Sequence, residues 1–248
     1  MLPSDPSPDD ATMHKPLAAL QPRHAVPWGF WATLGWLLLI VNSIASPGIV
    51  YAAWLEFKHV SVADRDLSGA LPAGSALMFA VTIFAVRLSG LPLRDYLALK
   101  VPKPQYLLIG IAAMALLDVV FALMSSALGI DDALRERAQD YRKIANGGSL
   151  LFVSNAVCGA AFAEILLRGF VFRGWAQSRL GVFGTILLTS LVVSAVSLVS
   201  NWFISIEAFC TAALLGCLRW AGESTTLTIV VSIASVLWGI GIIMAGWL

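Results

Sequence analysis

The chain has 248 residues, of which 58% are hydrophobic and 12% charged; its formal net charge is +1 and its mean hydropathy +0.82. Soluble domains carry about 25% charged residues, so this composition leaves too little polar surface for a water-soluble globule and predicts an all-α, polytopic transmembrane helix bundle. The near-zero charge excludes a global basic field that would attract nucleic acid. The expected partner is instead the lipid bilayer.

Residues 1–27 are rich in Pro and Asp and lack periodicity, which predicts a disordered tail. Acidic residues stand where a signal peptide needs a basic region, so the first apolar segment is expected to stay as an anchor of one integral domain over 28–248. Crossing hydrocarbon takes about 20 apolar residues. By that measure seven segments qualify: Trp28–Leu55, Gly69–Val86, Gln105–Leu128, Leu150–Phe172, Val182–Val199, Trp202–Leu218 and Thr225–Trp247. Splitting one of them would give eight, so the expectation is about seven to eight spans. Trp28, Trp31 and Trp36 begin an aromatic entry suited to the membrane interface. Residues 91–105, LPLRDYLALKVPKPQ, read as an interfacial strip with Leu and Tyr in the headgroups. The DDALRERAQDYRK loop mixes both signs and reads as a surface-lying amphipathic helix. Nine Lys and Arg residues fall on the N-terminal side of this arrangement and six on the other, which places the N-terminus in the cytoplasm.

Cys158, Cys210 and Cys217 all lie in apolar segments without CxxC spacing, so they read as small buried hydrophobes. No P-loop, GxGxxG or metal-spaced cluster occurs, and neither a cofactor nor a metal is expected. Gly159, Ala160, Ala161 and Ala163, and later Ala212, Ala213 and Gly216, form small-residue faces that let helices approach closely.

Charges inside a span cost at least about 2.5–3.5 kcal/mol each, so each needs a reason. Four sit well inside the segments: Asp118, Glu164, Arg168 and Glu207. Glu164 and Arg168 are spaced i, i+4, which puts both heads on one helix face. Two readings follow: an ion pair that locks helices together, or a catalytic or ligand-binding carboxylate oriented by its arginine. Asp118, in MALLDVVFALM, reads as a buried hydrogen-bonded acid. Glu207, soon after Trp202, reads as an interfacial carboxylate.

The stretch AEILLRGFVFRGW resembles the signature of the CAAX-type prenyl endopeptidase and bacteriocin-processing family of intramembrane proteases (CPBP, or Abi). That family carries Glu-Glu-x-x-x-Arg, a later Phe-x-x-x-His and a final His-x-x-x-Asn. The resemblance covers about residues 70–240 and implies a bacterial inner-membrane protein. Position by position, Glu164 and Arg168 match the second glutamate and the arginine, while Ala163 stands at the first glutamate. In VVSAVSLVSNWF, Val193 falls at the phenylalanine and Ser197 at the histidine; in TLTIVVSIASVLWG, Ser232 falls at the second histidine and Val236 at the asparagine. The sequence holds no histidine after His59.

The family's chemistry, as the resemblance implies it, uses a glutamate and a histidine to activate water, with a second histidine and the asparagine holding the oxyanion; a metal is sometimes assigned to the same side chains. General-base help is worth about 10²–10⁴-fold and an oxyanion donor about 10²–10³-fold. Serine replaces neither. A serine nucleophile would itself need a base within hydrogen-bond reach, and no Lys or His follows Arg168.

Three functions follow from this. The first is a non-catalytic member that binds a peptide, a prenylated tail or a membrane-protein partner. The second is an active endopeptidase in which Glu164, Asp118 and Glu207 converge on a water or a metal. The third is a proton-coupled or anion transporter using Asp118, Glu164 and Arg168 as a relay, although the Gly/Pro-interrupted helix pair that marks carriers is missing.

Overall fold

A computed structural model describes residues 28–58, 70–130, 149–197 and 201–244, and every regular element among them is helical. The tail over 1–27 and the DDALRERAQDYRK loop lie outside the described residues. In chain order the elements are α1 (Phe30–Phe57), α2 (Ala70–Leu88), a single turn α3 (Leu93–Tyr96), α4 (Pro104–Leu128), α5 (Ser149–Glu164), a π-helical segment (Ile165–Val171), α6 (Phe172–Ala176), α7 (Gly181–Ser197), α8 (Trp202–Gly222) and α9 (Thr225–Met244). Within the described residues each of the seven apolar segments is thus helical, the fourth being broken into α5, the π segment and α6. Among the described residues, α4 and α8 are long and apolar enough to cross a membrane, and shorter apolar stretches fill α1, α2, α7 and α9.

Helix ends follow local chemistry. Asn201 caps α8 by accepting the Phe203 N–H at 2.8 Å, as a short polar side chain does at an N-terminus. Pro104 opens α4, where its missing N–H costs nothing, and Gly129 closes it at φ 65°.

α9 is the central helix, packed by α4, α5, α8 and the π segment. α1 pairs with α2 and α7 with α8. Two apolar cores result. One joins Leu37 and Ile40 of α1, Met78, Ala85 and Val86 of α2, Tyr96, Leu97, and Leu166, Phe170, Val171 and Trp175. The other joins Met114 of α4, Leu215 and Leu218 of α8, and Leu227 and Val231 of α9. The small-residue face of α8 acts as expected: Gly216 receives Ile186 of α7 so closely that a Cβ there would stand 3.0 Å from it.

A second device locks α7 to α8. Ser194 and Ser205 hydroxyls lie 2.8 Å apart, and each reaches the other residue's carbonyl, at 2.9 and 2.7 Å. Hydrogen bonds between helices in an apolar medium contribute about 0.6 kcal/mol on average and up to about 1.7. Ser205→Ala should therefore lower the unfolding free energy in detergent by about 1 kcal/mol, and Ser194→Ala in that background should cost little more. Fully additive losses would show that the two hydroxyls act separately.

Within the strip over 91–105 Tyr96, Leu97 and Ala98 are buried, while Arg94, Lys100, Val101 and Lys103 stay exposed. Tyr96 is 0% exposed and Leu97 1%; Tyr96 stacks on Phe170 with ring centroids 5.6 Å apart. The expectation that Tyr96 and Leu97 lie in the headgroups is corrected: they pack inside, and the strip is sewn to the turn between α8 and α9. The Thr225 N–H donates to Ala98 O at 3.0 Å and the Ser224 hydroxyl to Lys100 O at 2.6 Å. Gly169 lets this strip approach, for a Cβ there would lie 3.1 Å from Leu97.

Candidate functional site

The helix changes pitch at the signature residues. In an α-helix the Phe172 N–H would bond Arg168 O, four residues back. Here it bonds Leu167 O, five residues back. The Arg168 carbonyl is thereby released, and two side chains take it: Arg219 Nε donates at 3.0 Å and the Thr225 hydroxyl at 3.3 Å. Such π segments occur often where a helix serves a site. In this one the donors of α8 and α9 hold the widened turn open.

The π segment stands between the two cores. Leu166, Phe170 and Val171 join the first core, while Arg168 turns toward α8 and α9. Its Nη2 donates to Ala212 O at 2.6 Å. Its Nε lies 3.7 Å from Glu164 Oε2, close enough for an ion pair but long for a hydrogen bond. Glu164 is 4% exposed and Arg168 1%. The Thr228 hydroxyl sits against the Glu164 carboxylate and 3.0 Å from Thr225 O. Glu164 Oε2 and Arg168 Nε and Nη1 have no hydrogen-bond partner among the described residues.

Glu164 and Arg168 are therefore together, as their spacing implied. The other expected residues are placed differently. Ala163 is exposed, and Val193 and Val236 are half-buried. The Ser197 hydroxyl bonds back to Val193 O of its own helix at 3.1 Å. Ser232 is half-buried one turn beyond Thr228, and the α9 groups that meet the pair are Thr225 and Thr228. Asp118 is half-buried on α4 between Met114 and Phe121, and Glu207 half-buried on α8, more than a turn before Ala212. Among the described residues, no three of His, Cys, Asp and Glu are grouped so that they could hold a metal ion.

Arg219 was counted in the sequence only as a flanking charge. It lies in the last turn of α8 but faces inward at 8% exposure, its guanidinium carbon 5.3 Å from the centroid of the Phe172 ring. The signal was present: Ala212, Leu215, Gly216 and Arg219 follow i, i+3, i+4, i+7, one face of a helix. Tyr96 was likewise missed as a core residue. Burial pushes its phenol above the ordinary range, and the nearby Arg173 charge offsets part of that rise.

The arrangement can hold charge and hydrogen-bond a polar group; beside the carboxylate stand the Arg168 guanidinium and the Thr228 hydroxyl. Compared with protein-family models, with curated proteins and with solved structures, the chain gave no match in any of the three.

Proposed function

We propose that the chain is a polytopic bundle of seven to eight spans in a bacterial inner membrane, its N-terminus cytoplasmic, built on the frame of the CAAX-type intramembrane proteases. It binds a peptide, a prenylated tail or a membrane-protein partner and does not cut it. The membrane setting is supported by α4: only 17% of its apolar window is buried, whereas the core helix of a soluble protein would be mostly covered. Leu108, Leu116 and Leu123 stand on its bare face, and an apolar face of that length is not left in water.

One observation carries the non-catalytic reading. Glu164 is held by Arg168 and Thr228, and Arg168 is itself tied to Ala212 O, where water activation would require a neighbouring base. Hydroxyls do not supply one near neutral pH.

Purified protein incubated with fluorescent prenylated or transmembrane peptides should retain at least one probe on gel filtration at its full length. Glu164→Gln should release no less product than wild type, because both rates sit at background. Shortened product from wild type, lost in Glu164→Gln, would restore the protease. Neither retention nor cleavage of any probe would remove the binding role.

A further inference from the structure

α1 has two unlike sides. Thr33, Leu37 and Ile40 are buried on one, where the helix packs on α2, the π segment and α6. On the other, Trp31, Gly35, Leu38, Asn42 and Ile49 are all exposed. These five follow one another at intervals of four, three, four and seven residues. That is the 3.5-residue repeat by which one helix lays a continuous seam against another.

Two residues of this seam serve no contact inside the chain. Asn42 stands twelve residues after Phe30, the first of α1, which is about 18 Å along the axis and near the middle of a hydrocarbon layer about 30 Å thick. Its Nδ2 donates to Leu38 O at 2.7 Å. That leaves a second N–H and the amide oxygen without a partner among the described residues, and lipid tails supply none. The helix does not need this side chain at its proline: Pro47 frees Ser43 O, and the Ser46 hydroxyl takes that carbonyl at 2.9 Å. Gly35 is the second residue. A Cβ there would meet nothing within 4 Å, so no neighbour in the chain calls for glycine, a poorer helix former than alanine. By contrast, Leu108, Leu116 and Leu123 on α4 present lipid with hydrocarbon alone.

We infer that two copies of this chain pair in the membrane through α1 about a two-fold axis, with Gly35 at the close approach and each Asn42 amide donating to and accepting from the other. A two-fold contact sets the same patch of both copies face to face, so a residue on the seam meets its own counterpart. Asparagine suits that position because one side chain carries both donor and acceptor. A single buried asparagine fixes register and strand number in coiled coils by the same means, and small residues let membrane helices close on each other. A different membrane protein would need a polar group placed to match Asn42; a second copy brings one by symmetry. The inference rests on the membrane placement proposed above.

The full chain, fused at its N-terminus to a donor or an acceptor fluorescent protein, is reconstituted in phosphatidylcholine liposomes. Flotation on a density gradient reports entry into the bilayer, and energy transfer is followed as the protein-to-lipid ratio rises. Wild type should show saturable transfer that unfused wild type competes away. Asn42→Leu should move the half-point to about tenfold more protein per lipid, the effect of losing two hydrogen bonds between membrane helices. Gly35→Leu should move it in the same direction by filling the notch. Helical circular dichroism and thermal unfolding of both variants should match wild type, because both positions are exposed. Asn42→Gln, which keeps the amide, should hold part of the affinity, and Leu116→Ala on α4 should leave the half-point in place. Transfer that never saturates in wild type, or an unmoved half-point in folded Asn42→Leu or Gly35→Leu, overturns the pairing; a shift in Leu116→Ala alone would assign the contact to α4 and overturn it too. A chain that does not float with liposomes overturns the membrane reading and the pairing with it, whereas flotation without saturable transfer overturns the pairing alone.

Discussion

Arg168→Met should lower the unfolding free energy by about 3–5 kcal/mol, the usual effect of leaving one member of a buried ion pair alone. Glu164 is 4% exposed, and without Arg168 its charge would face only the Thr228 hydroxyl. The variant also loses the 2.6 Å bond to Ala212 O. Glu164→Leu combined with Arg168→Met should recover most of the loss, because replacing both buried charges by apolar groups is often neutral or stabilising. Denaturant titration in detergent micelles, followed by helical circular dichroism, measures both. A single-variant loss below about 1 kcal/mol, the range of exposed pairs, would mean that water reaches the pair and that the sealed knot described above is wrong.

Gly174→Ala has a sign that decides between two effects. Alanine in a helix is normally worth about 1 kcal/mol more than glycine, so a free surface would be stabilised. Here a Cβ on Gly174 would overlap the Thr33 hydroxyl and crowd its Cβ and methyl. Overpacking of this kind costs about 1–3 kcal/mol. The expected net result is a loss of about 1–2 kcal/mol after the helix gain is subtracted, with partial recovery in Thr33→Ala. The reason is local: α6 is clasped to the start of α1, where Phe30 and Trp175 rings lie 5.3 Å apart and the Trp175 indole reaches Phe30 O. Stabilisation of Gly174→Ala in the same titration would show that this clasp is loose.

Much of the fold was legible because apolar runs are long. Gln105–Leu128 was expected and Pro104–Leu128 found; Trp202–Leu218 was expected and Trp202–Gly222 found. The Glu164–Arg168 pair was legible for the same reason, since two charges stand out in an apolar run. The π turn was not, because its cause lies in donors far along the chain, Arg219 and Thr225, and no local periodicity encodes it. Thr228 was not singled out because a threonine in an apolar run gives no sign of which carboxylate it will meet. Tyr96 was misplaced because an amphipathic strip looks the same whether it lies on lipid or on another helix.

The groups that hold Arg168 arrive late. Ala212, Arg219 and Thr225 follow it by 44, 51 and 57 residues. At ribosomal speeds of about 5–20 residues per second, the glutamate and arginine precede these partners by several seconds. In the bilayer setting proposed here, a nascent chain cut short before α8 would carry an exposed ion pair in hydrocarbon. The pair is therefore covered only once α8 and the start of α9 have joined it, so the order of synthesis leaves its two charges waiting for their shelter.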